Sequence, residues 1–320
     1  MTMNWGKLEG ASALITGATG LIGRLLVDIL LKRKREYGQH IEIYALSRCG
    51  GLNEEGVYEW IQSVDSPFPD VHVDFIIHAA GDNSPKQFLN NPINVFNTAV
   101  MGTANLLEWS KNSKLSGFVF VSSGEVYGRV PVESGPIKED MIGILDPMAL
   151  RSCYPEGKRA AENICACYAA QYDVPVCVIR PCHLFGPTMR RDDDKVIAQF
   201  IRMAISGDPI EIYGNGLQRR SYCYGDDAVS GIFTALLSGK SGEAYNIAHP
   251  QNAVSLKELA YMIMAASGRE DTPTILGRQE PHGSGITHAV LDSSKLISMG
   301  WNPVVSLTDG LKRQINAWSD

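Results

Sequence analysis

The sequence predicts an α/β fold, a doubly wound parallel sheet followed by a smaller C-terminal lobe, on three observations. Short apolar runs alternate with helical stretches through the first 180 residues, a glycine-rich turn joins the first run to the first helix, and beyond Arg180 the texture changes. There the chain turns to loops rich in Gly, Pro and charge, such as Gly186-Pro187 and residues 190–195. The runs are 13–16, 41–46, 73–78, 117–122 and 174–180, each apolar on both faces, as a strand buried between helix layers must be. Between them lie helical stretches at 21–34, 92–111 and 155–172. Residues 1–180 are therefore expected to form the sheet domain, with 217–247 returning to it, and 181–320 to form mainly a substrate-binding lobe. Ligands of such sheets gather outside the carboxyl ends of the strands, and functional residues are sought there.

Composition narrows the classes. A chain of 320 residues with 44% hydrophobic and 20% charged content can bury about three quarters of its unfolded surface. The net charge of −6 is mild, and the one basic run, Lys32-Arg33-Lys34-Arg35, closes a predicted helix, where it complements the helix dipole and faces water. No nucleic-acid partner is expected. The seven cysteines include no pair at metal-finger spacing and follow no secretory segment, so reduced thiols, a cytoplasmic location and no metal centre are expected. Cys165 and Cys167 point to different faces of a helix, Cys177 and Cys182 lie in and just beyond a strand, and all four are read as small core residues. The longest apolar runs fall far short of the roughly 20 residues that span a bilayer. There is no internal repeat and no low-complexity tract.

The glycine turn carries the first chemistry. Thr16-Gly17-Ala18-Thr19-Gly20-Leu21-Ile22-Gly23 has GxxGxxG spacing after a strand and opens a helix. Glycine lets the backbone turn sharply and approach a pyrophosphate, which the helix-start amides and dipole stabilise. This makes the sheet Rossmann-type and Gly17, Thr19, Gly20, Leu21, Ile22 and Gly23 its dinucleotide-binding candidates. The second strand ends Ala45-Leu46-Ser47-Arg48, where an acidic residue would otherwise grip the ribose of NAD. Ser47 leaves room for a 2′-phosphate and Arg48 can pair with it, so NADP is expected, with NAD the alternative. Asp65 is placed to take the adenine amino group. Ala79 and Ala80, in His78-Ala79-Ala80-Gly81, are small residues at a strand end beside the dinucleotide.

The strand ending at Val121 runs into Ser122-Ser123-Gly124-Glu125-Val126-Tyr127-Gly128, and Tyr154-Pro155-Glu156-Gly157-Lys158 opens a later helix. Tyr154 and Lys158, four apart, share a helix face. The ammonium and an oxidised nicotinamide nearby are expected to lower the phenol's pKa and make it a general base, with Ser123 sharing the substrate proton.

Here the chain resembles the extended short-chain dehydrogenases, also called NAD-dependent epimerase/dehydratases, and locally the UDP-glucuronate decarboxylases. The likeness rests on Arg151-Ser152-Cys153-Tyr154-Pro155-Glu156-Gly157-Lys158-Arg159, on Asn91-Pro92 with Gly102-Thr103, and on Gly214-Asn215-Gly216-Leu217-Gln218-Arg219-Arg220. It implies transient oxidation at C4 of a nucleotide-diphosphate sugar. It further implies catalytic roles for Ser123, Glu125, Tyr154 and Lys158, the last also holding the nicotinamide ribose, and contact of Arg220 with the substrate diphosphate. The family's usual Asn is His183 here, which can hydrogen-bond the diphosphate or sugar instead, and the arginine that often follows Gly-Pro is Thr188. Lys195 is a further candidate substrate contact. Decarboxylation is the main reading and 4-epimerisation the alternative. A 4,6-dehydratase wants an acid where Gly124 stands; net reduction, or a non-catalytic dinucleotide-binding module, ranks lower still. The resemblance also implies a homodimer joined through helices 92–111 and 155–172, whose surplus apolar residues include Trp109, Tyr168 and Tyr172.

Overall fold

A computed structural model describes residues 3–269, 274–275 and 286–319. Strand β1 (Ala11–Thr16) leads through the glycine turn into α1 (Leu21–Tyr37), then β2 (Ile41–Ser47) and β3 (Val57–Ile61). Strand β4 (Phe75–His78) is followed by α2 (Pro85–Asn90) and α3 (Pro92–Ser110), and β5 (Gly117–Val121) by the long loop to α4 (Cys153–Tyr172) and β6 (Val176–Pro181). Then come β7 (His183–Phe185), α5 (Val196–Ser206), β8 (Glu211–Ile212), β9 (Arg219–Tyr224), α6 (Gly225–Ser238) and β10 (Ala244–Ile247). The chain ends through β11 (Ala253–Ser255), α7 (Leu256–Ala266), β12 (Thr274–Ile275), β13 (His288–Ala289), α8 (Ser294–Ser298) and α9 (Leu307–Ser319).

Seven parallel strands form the main sheet in the order β10-β6-β5-β4-β1-β2-β3. Chain order reverses between β1 and β4, and Thr16 lies there between Leu46 and His78 in register. One core packs α1 and α6 against one sheet face; another fills the space under α3 and α4 on the other. Strand β3 is not among the sequence-predicted runs. Its half-exposed residues at the sheet edge give it neither a wholly apolar run nor a clean alternation. A second small sheet, β11-β9-β13 with β7 also on β9, belongs to the lobe whose core is built by α5, α7 and α9.

Two local expectations need correction. Cys167 is exposed on α4, because two residues past the buried Cys165 a helix has turned its side chain to the far face. Trp109 does not remain a surplus apolar group: its ring stacks on Phe68 at 4.9 Å and its Nε1 donates to the Pro69 carbonyl at 3.1 Å. Ile93 and Met101 on α3 and Tyr172 on α4 do stay exposed. The basic run at the end of α1 faces outward, with Arg33 stacked over Tyr37 at 4.2 Å, and the helix closes at Gly38 in the left-handed region. No helix among the described residues is long and apolar enough to cross a membrane.

Candidate active site

The glycine turn is packed so closely that side chains are shut out. Gly17 has φ +70°, and a Cβ there would lie 2.7 Å from the Ala79 carbonyl oxygen; a Cβ on Gly23 would run into the Gly17 carbonyl. Gly20 is the N-cap of α1, and its amide donates to the Gly17 carbonyl at 3.0 Å. Thr19, Leu21 and Ile22 complete the turn at the helix start, where unpaired amides gather.

A buried hydrogen-bond chain fixes the neighbouring strand end. The Ala80 amide donates to Thr16 Oγ1 at 3.1 Å, Thr16 Oγ1 meets His78 Nδ1 at 2.7 Å, and His78 Nε2 meets Thr103 Oγ1 at 3.0 Å. Thr103 donates in turn to the Ala99 carbonyl at 2.5 Å, which assigns the imidazole proton to Nε2. Burial pushes His78 down to about 3, so the ring is a neutral strut that holds Ala79 and Ala80 beside Gly17.

The adenosine end is less committed. Ser47 is buried and its Oγ accepts from the Gly50 amide at 2.9 Å, whereas Arg48 is exposed and forms no ion pair among the described residues. Asp65 is exposed on a loop that Asn105 clamps from both sides, donating to Val64 O at 3.0 Å and Ser66 O at 2.8 Å.

Ser123, Tyr154 and Lys158 come together where β5 ends and α4 begins. Lys158 is buried, donates to the Val121 carbonyl at 2.9 Å and lies 4.7 Å from the Phe120 ring. Tyr154 stacks on Phe88 at 4.6 Å and hydrogen-bonds Ser123, whose Oγ accepts from the Glu125 amide at 3.2 Å. The phenol corrects the sequence expectation. Burial, and then the Glu125 carboxylate, hold its pKa well above the ordinary tyrosine range, while Ser123 and Arg151 pull it down less. Lys158 is aimed at Val121 rather than at the phenol, so in the polypeptide alone Tyr154 is protonated.

Burial pushes Lys158 down to about 8, against the nearby Glu162 charge, which pulls it up. Its folded-state pKa lies below the unfolded one, so burying the ammonium costs stability below pH 8, a cost relieved as pH rises from 8 towards 10.5. Lys158→Met is accordingly expected to raise the melting temperature by about 2 °C at pH 7 and by less at pH 10. Equal increments in melts at both pH values would contradict this.

Glu125 does not stand alone. Arg151 grips it through two bonds, Nη1 to Oε2 at 2.7 Å and Nη2 to Oε1 at 2.9 Å, and the guanidinium carbon sits 5.4 Å from the Phe88 ring. Sequence reading missed this arginine, although it stands three residues before Tyr154 in a segment already singled out. It also missed Phe88, which no local pattern marks.

The small sheet supplies the opposite wall. Arg220 and Tyr222 alternate along β9 with Gln218 one residue before the strand, so the three share a face, and His183 of β7 stands beside Tyr222 in register, their rings 5.6 Å apart. The buried side-chain polar atoms without a partner among the described residues are His183 Nδ1, Gln218 Oε1 and Tyr222 Oη, all on this face. Such atoms are rare, and a cluster of them marks a surface that awaits a polar ligand. Burial, then the Arg220 cation, pushes His183 down to about 3, so the ring is neutral. Lys195 is brought near but engaged: its Nζ pairs with Asp193 at 2.9 Å and reaches Asn83 at 3.3 Å, because its own loop supplies the counter-charge. That loop is tied across the cleft, with Asp194 accepting from Ser84 Oγ at 2.7 Å and from the Lys86 amide at 2.9 Å.

This geometry can be set beside known proteins. A family model described as "NAD dependent epimerase/dehydratase family" matches residues 13–248. UDP-glucuronic acid decarboxylase 1 of Xenopus tropicalis is 31% identical over 308 residues, 95% of this chain and 71% of that protein. UDP-glucuronic acid 4-epimerase from Bacillus cereus, solved with UDP-glucuronic acid and NAD, superposes with a TM-score of 0.81 at 25% identity, over 96% of this chain and 98% of that one. UDP-glucose 4-epimerase from Thermotoga maritima, solved with UDP-glucose, shares the fold with a TM-score of 0.83 at 24% identity and the same coverage.

Proposed function

The chain belongs to the NAD dependent epimerase/dehydratase family, and from that premise we propose that it remodels a nucleoside-diphosphate sugar by transient oxidation at C4, as a decarboxylase of the UDP-glucuronate type. The observation that carries the reading is the convergence of Ser123, Tyr154 and Lys158 beside the Glu125–Arg151 pair, facing the partnerless polar atoms of β9.

The glycine turn fits a dinucleotide, since glycine at positions 17 and 23 lets the backbone close into a tight strand-to-helix turn that leaves the amides at the start of α1 for a pyrophosphate. Gly17, Thr19, Gly20, Leu21, Ile22 and Gly23 would hold the pyrophosphate, Asp65 the adenine, Ala79 and Ala80 would line the path, and Tyr154 and Lys158 would meet the nicotinamide ribose. Held by these residues, the dinucleotide would supply reversible hydride chemistry at C4. Tyr154 takes the C4 hydroxyl proton through Ser123 and gives it back at the end. A 4-keto uronate is a β-keto acid: its C5–C6 bond breaks, carbon dioxide leaves, and the electron pair remains at C5 as the enolate of the C4 ketone until a proton is added there. Glu125, beside Tyr154, is the carboxylate placed to handle that proton. Arg220 takes the diphosphate, for which a guanidinium fork is suited, with His183 beside it and Lys195 at the cleft edge.

Dehydration is disfavoured by Gly124, which offers no acid to protonate a departing C6 hydroxyl and sits where a Cβ would crowd the Leu291 side chain at 3.0 Å and the Pro181 carbonyl at 3.2 Å. A 4-epimerase remains the second reading, because it needs only Ser123, Tyr154 and Lys158 and room for the keto sugar to turn. NADP is the proposed dinucleotide, supported by Ser47 and the free Arg48 where an acid would select NAD; the NAD in the Bacillus cereus complex supports the alternative. The exposed Ile93, Met101 and Tyr172 on α3 and α4 support a homodimer through these helices.

The test is to incubate the protein, supplied with NAD or NADP, with UDP-glucuronate, UDP-glucose and UDP-N-acetylglucosamine, reading products by mass and proton NMR. Loss of carbon dioxide from the uronate establishes decarboxylation, and an isomer of unchanged mass with inverted C4 coupling establishes epimerisation. No change with any of them under either dinucleotide would reject both. The more tightly bound dinucleotide decides the cofactor, and a sedimentation run showing only monomer at micromolar concentration rejects the dimer.

A further inference from the structure

Among the described residues, bidentate arginine–carboxylate pairs occur at three places with different surroundings. Arg180–Glu162 is mostly buried behind the strand ends, Arg190–Asp192 is exposed at the surface, and Arg151–Glu125 adjoins Tyr154 with about a fifth to a quarter of each side chain open to the cleft. A guanidinium in this fork geometry is a carboxylate receptor, and at Arg151 the receptor is filled by the chain's own glutamate.

The other cations of the cleft are differently placed. Lys195 is neutralised by Asp193, and Arg220 lies on the opposite wall beside His183. Arg151 is the cation stacked on Phe88, whose other partner is the Tyr154 ring, so it sits beside the position where a sugar offering its C4 hydroxyl to Tyr154 would place its neighbouring carbons. We propose that Arg151 reads the substrate carboxylate: when the nucleotide sugar binds, the C6 carboxylate of a uronate replaces Glu125 on the guanidinium. This inference rests on the nucleotide-sugar reading above.

The exchange trades one carboxylate for another, so Arg151 never loses its ionic partner. A neutral hydroxymethyl group cannot make the same trade, because it carries no carboxylate for the guanidinium fork to take in place of Glu125. Specificity for a uronate over a neutral hexose follows from that asymmetry. The exchange also frees Glu125 beside Tyr154 and Ser123 only once a substrate with the right carboxylate has arrived.

Two substitutions are expected to move uronate affinity in opposite directions. Calorimetric titration of the dinucleotide-loaded protein would use UDP, UDP-glucose and UDP-glucuronate as probes. Arg151→Gln is expected to raise the dissociation constant for UDP-glucuronate about tenfold or more while moving UDP and UDP-glucose by less than about twofold, with Arg151→Lys recovering part of the loss. Glu125→Gln removes the internal competitor and is expected to tighten UDP-glucuronate by about threefold or more. Weakening by Glu125→Gln, or equal weakening of all three probes by Arg151→Gln, would overturn the inference and leave Arg151–Glu125 a structural pair. If the unmodified protein binds none of the probes, the nucleotide-sugar reading itself fails and takes this inference with it, an outcome separate from any difference between variants.

Discussion

Tyr154→Phe is expected to lower turnover of the nucleotide sugar by about 10²–10⁴-fold, the range lost with a single general acid–base group. Dinucleotide affinity should fall by no more than about tenfold, the loss of one hydrogen bond to the nicotinamide ribose. The ring of the variant keeps its stack on Phe88 at 4.6 Å, so the pocket wall is preserved and only the hydroxyl that bonds Ser123 is removed. Turnover measured with each enzyme, beside a fluorescence titration of the dinucleotide, separates the two effects. Undiminished turnover would remove Tyr154 from the chemistry. Because burial holds the phenol protonated in the polypeptide alone, the wild-type rate should climb as pH rises through the range in which the loaded enzyme gives up that proton.

The second large effect belongs to the glycine turn. Gly23→Ala puts a methyl into the Gly17 carbonyl, and the turn can accept it only by moving away from Ala79 and Ala80. Overpacking of this kind costs about 1–3 kcal/mol, and the displaced amides no longer converge on a pyrophosphate, so dinucleotide binding should weaken at least about 100-fold. Gly38→Ala is the matching control. Gly38, with φ +66°, faces open space at the end of α1, so the substitution should cost about 1 kcal/mol of stability through backbone strain and leave dinucleotide affinity unchanged. Comparable affinity losses in both variants would show that stability, not the packing of the turn, controls binding.

The parts of the site that a sequence states most clearly are those fixed by backbone geometry. Gly17, Gly20 and Gly23 mark a strand-to-helix turn, and Tyr154 and Lys158 share a helix face by their spacing alone. What the sequence withheld depends on contacts between distant segments. Phe88 meets Tyr154 from α2, Arg151 closes on Glu125 across the loop between β5 and α4, and His183 meets Tyr222 only because β7 lies on β9. Charge was misjudged for the same reason. A lysine one turn from a tyrosine suggested a lowered phenol pKa, yet the fold buries both and turns the ammonium towards Val121. Arg220 was legible as a substrate contact; the partnerless polar atoms that His183, Gln218 and Tyr222 place near it were not.

His183 Nδ1, Gln218 Oε1 and Tyr222 Oη are buried groups that a ligand could satisfy, and a polar group left unsatisfied costs a fold about 1–3 kcal/mol, set against a total stability of about 5–15 kcal/mol for a typical domain. A ligand that satisfies those atoms binds the folded chain and not the unfolded one, and so adds its binding free energy to the stability of the fold. In a cell this ties the persistence of the polypeptide to the supply of its substrate, with ligand-starved molecules the first to open and be degraded.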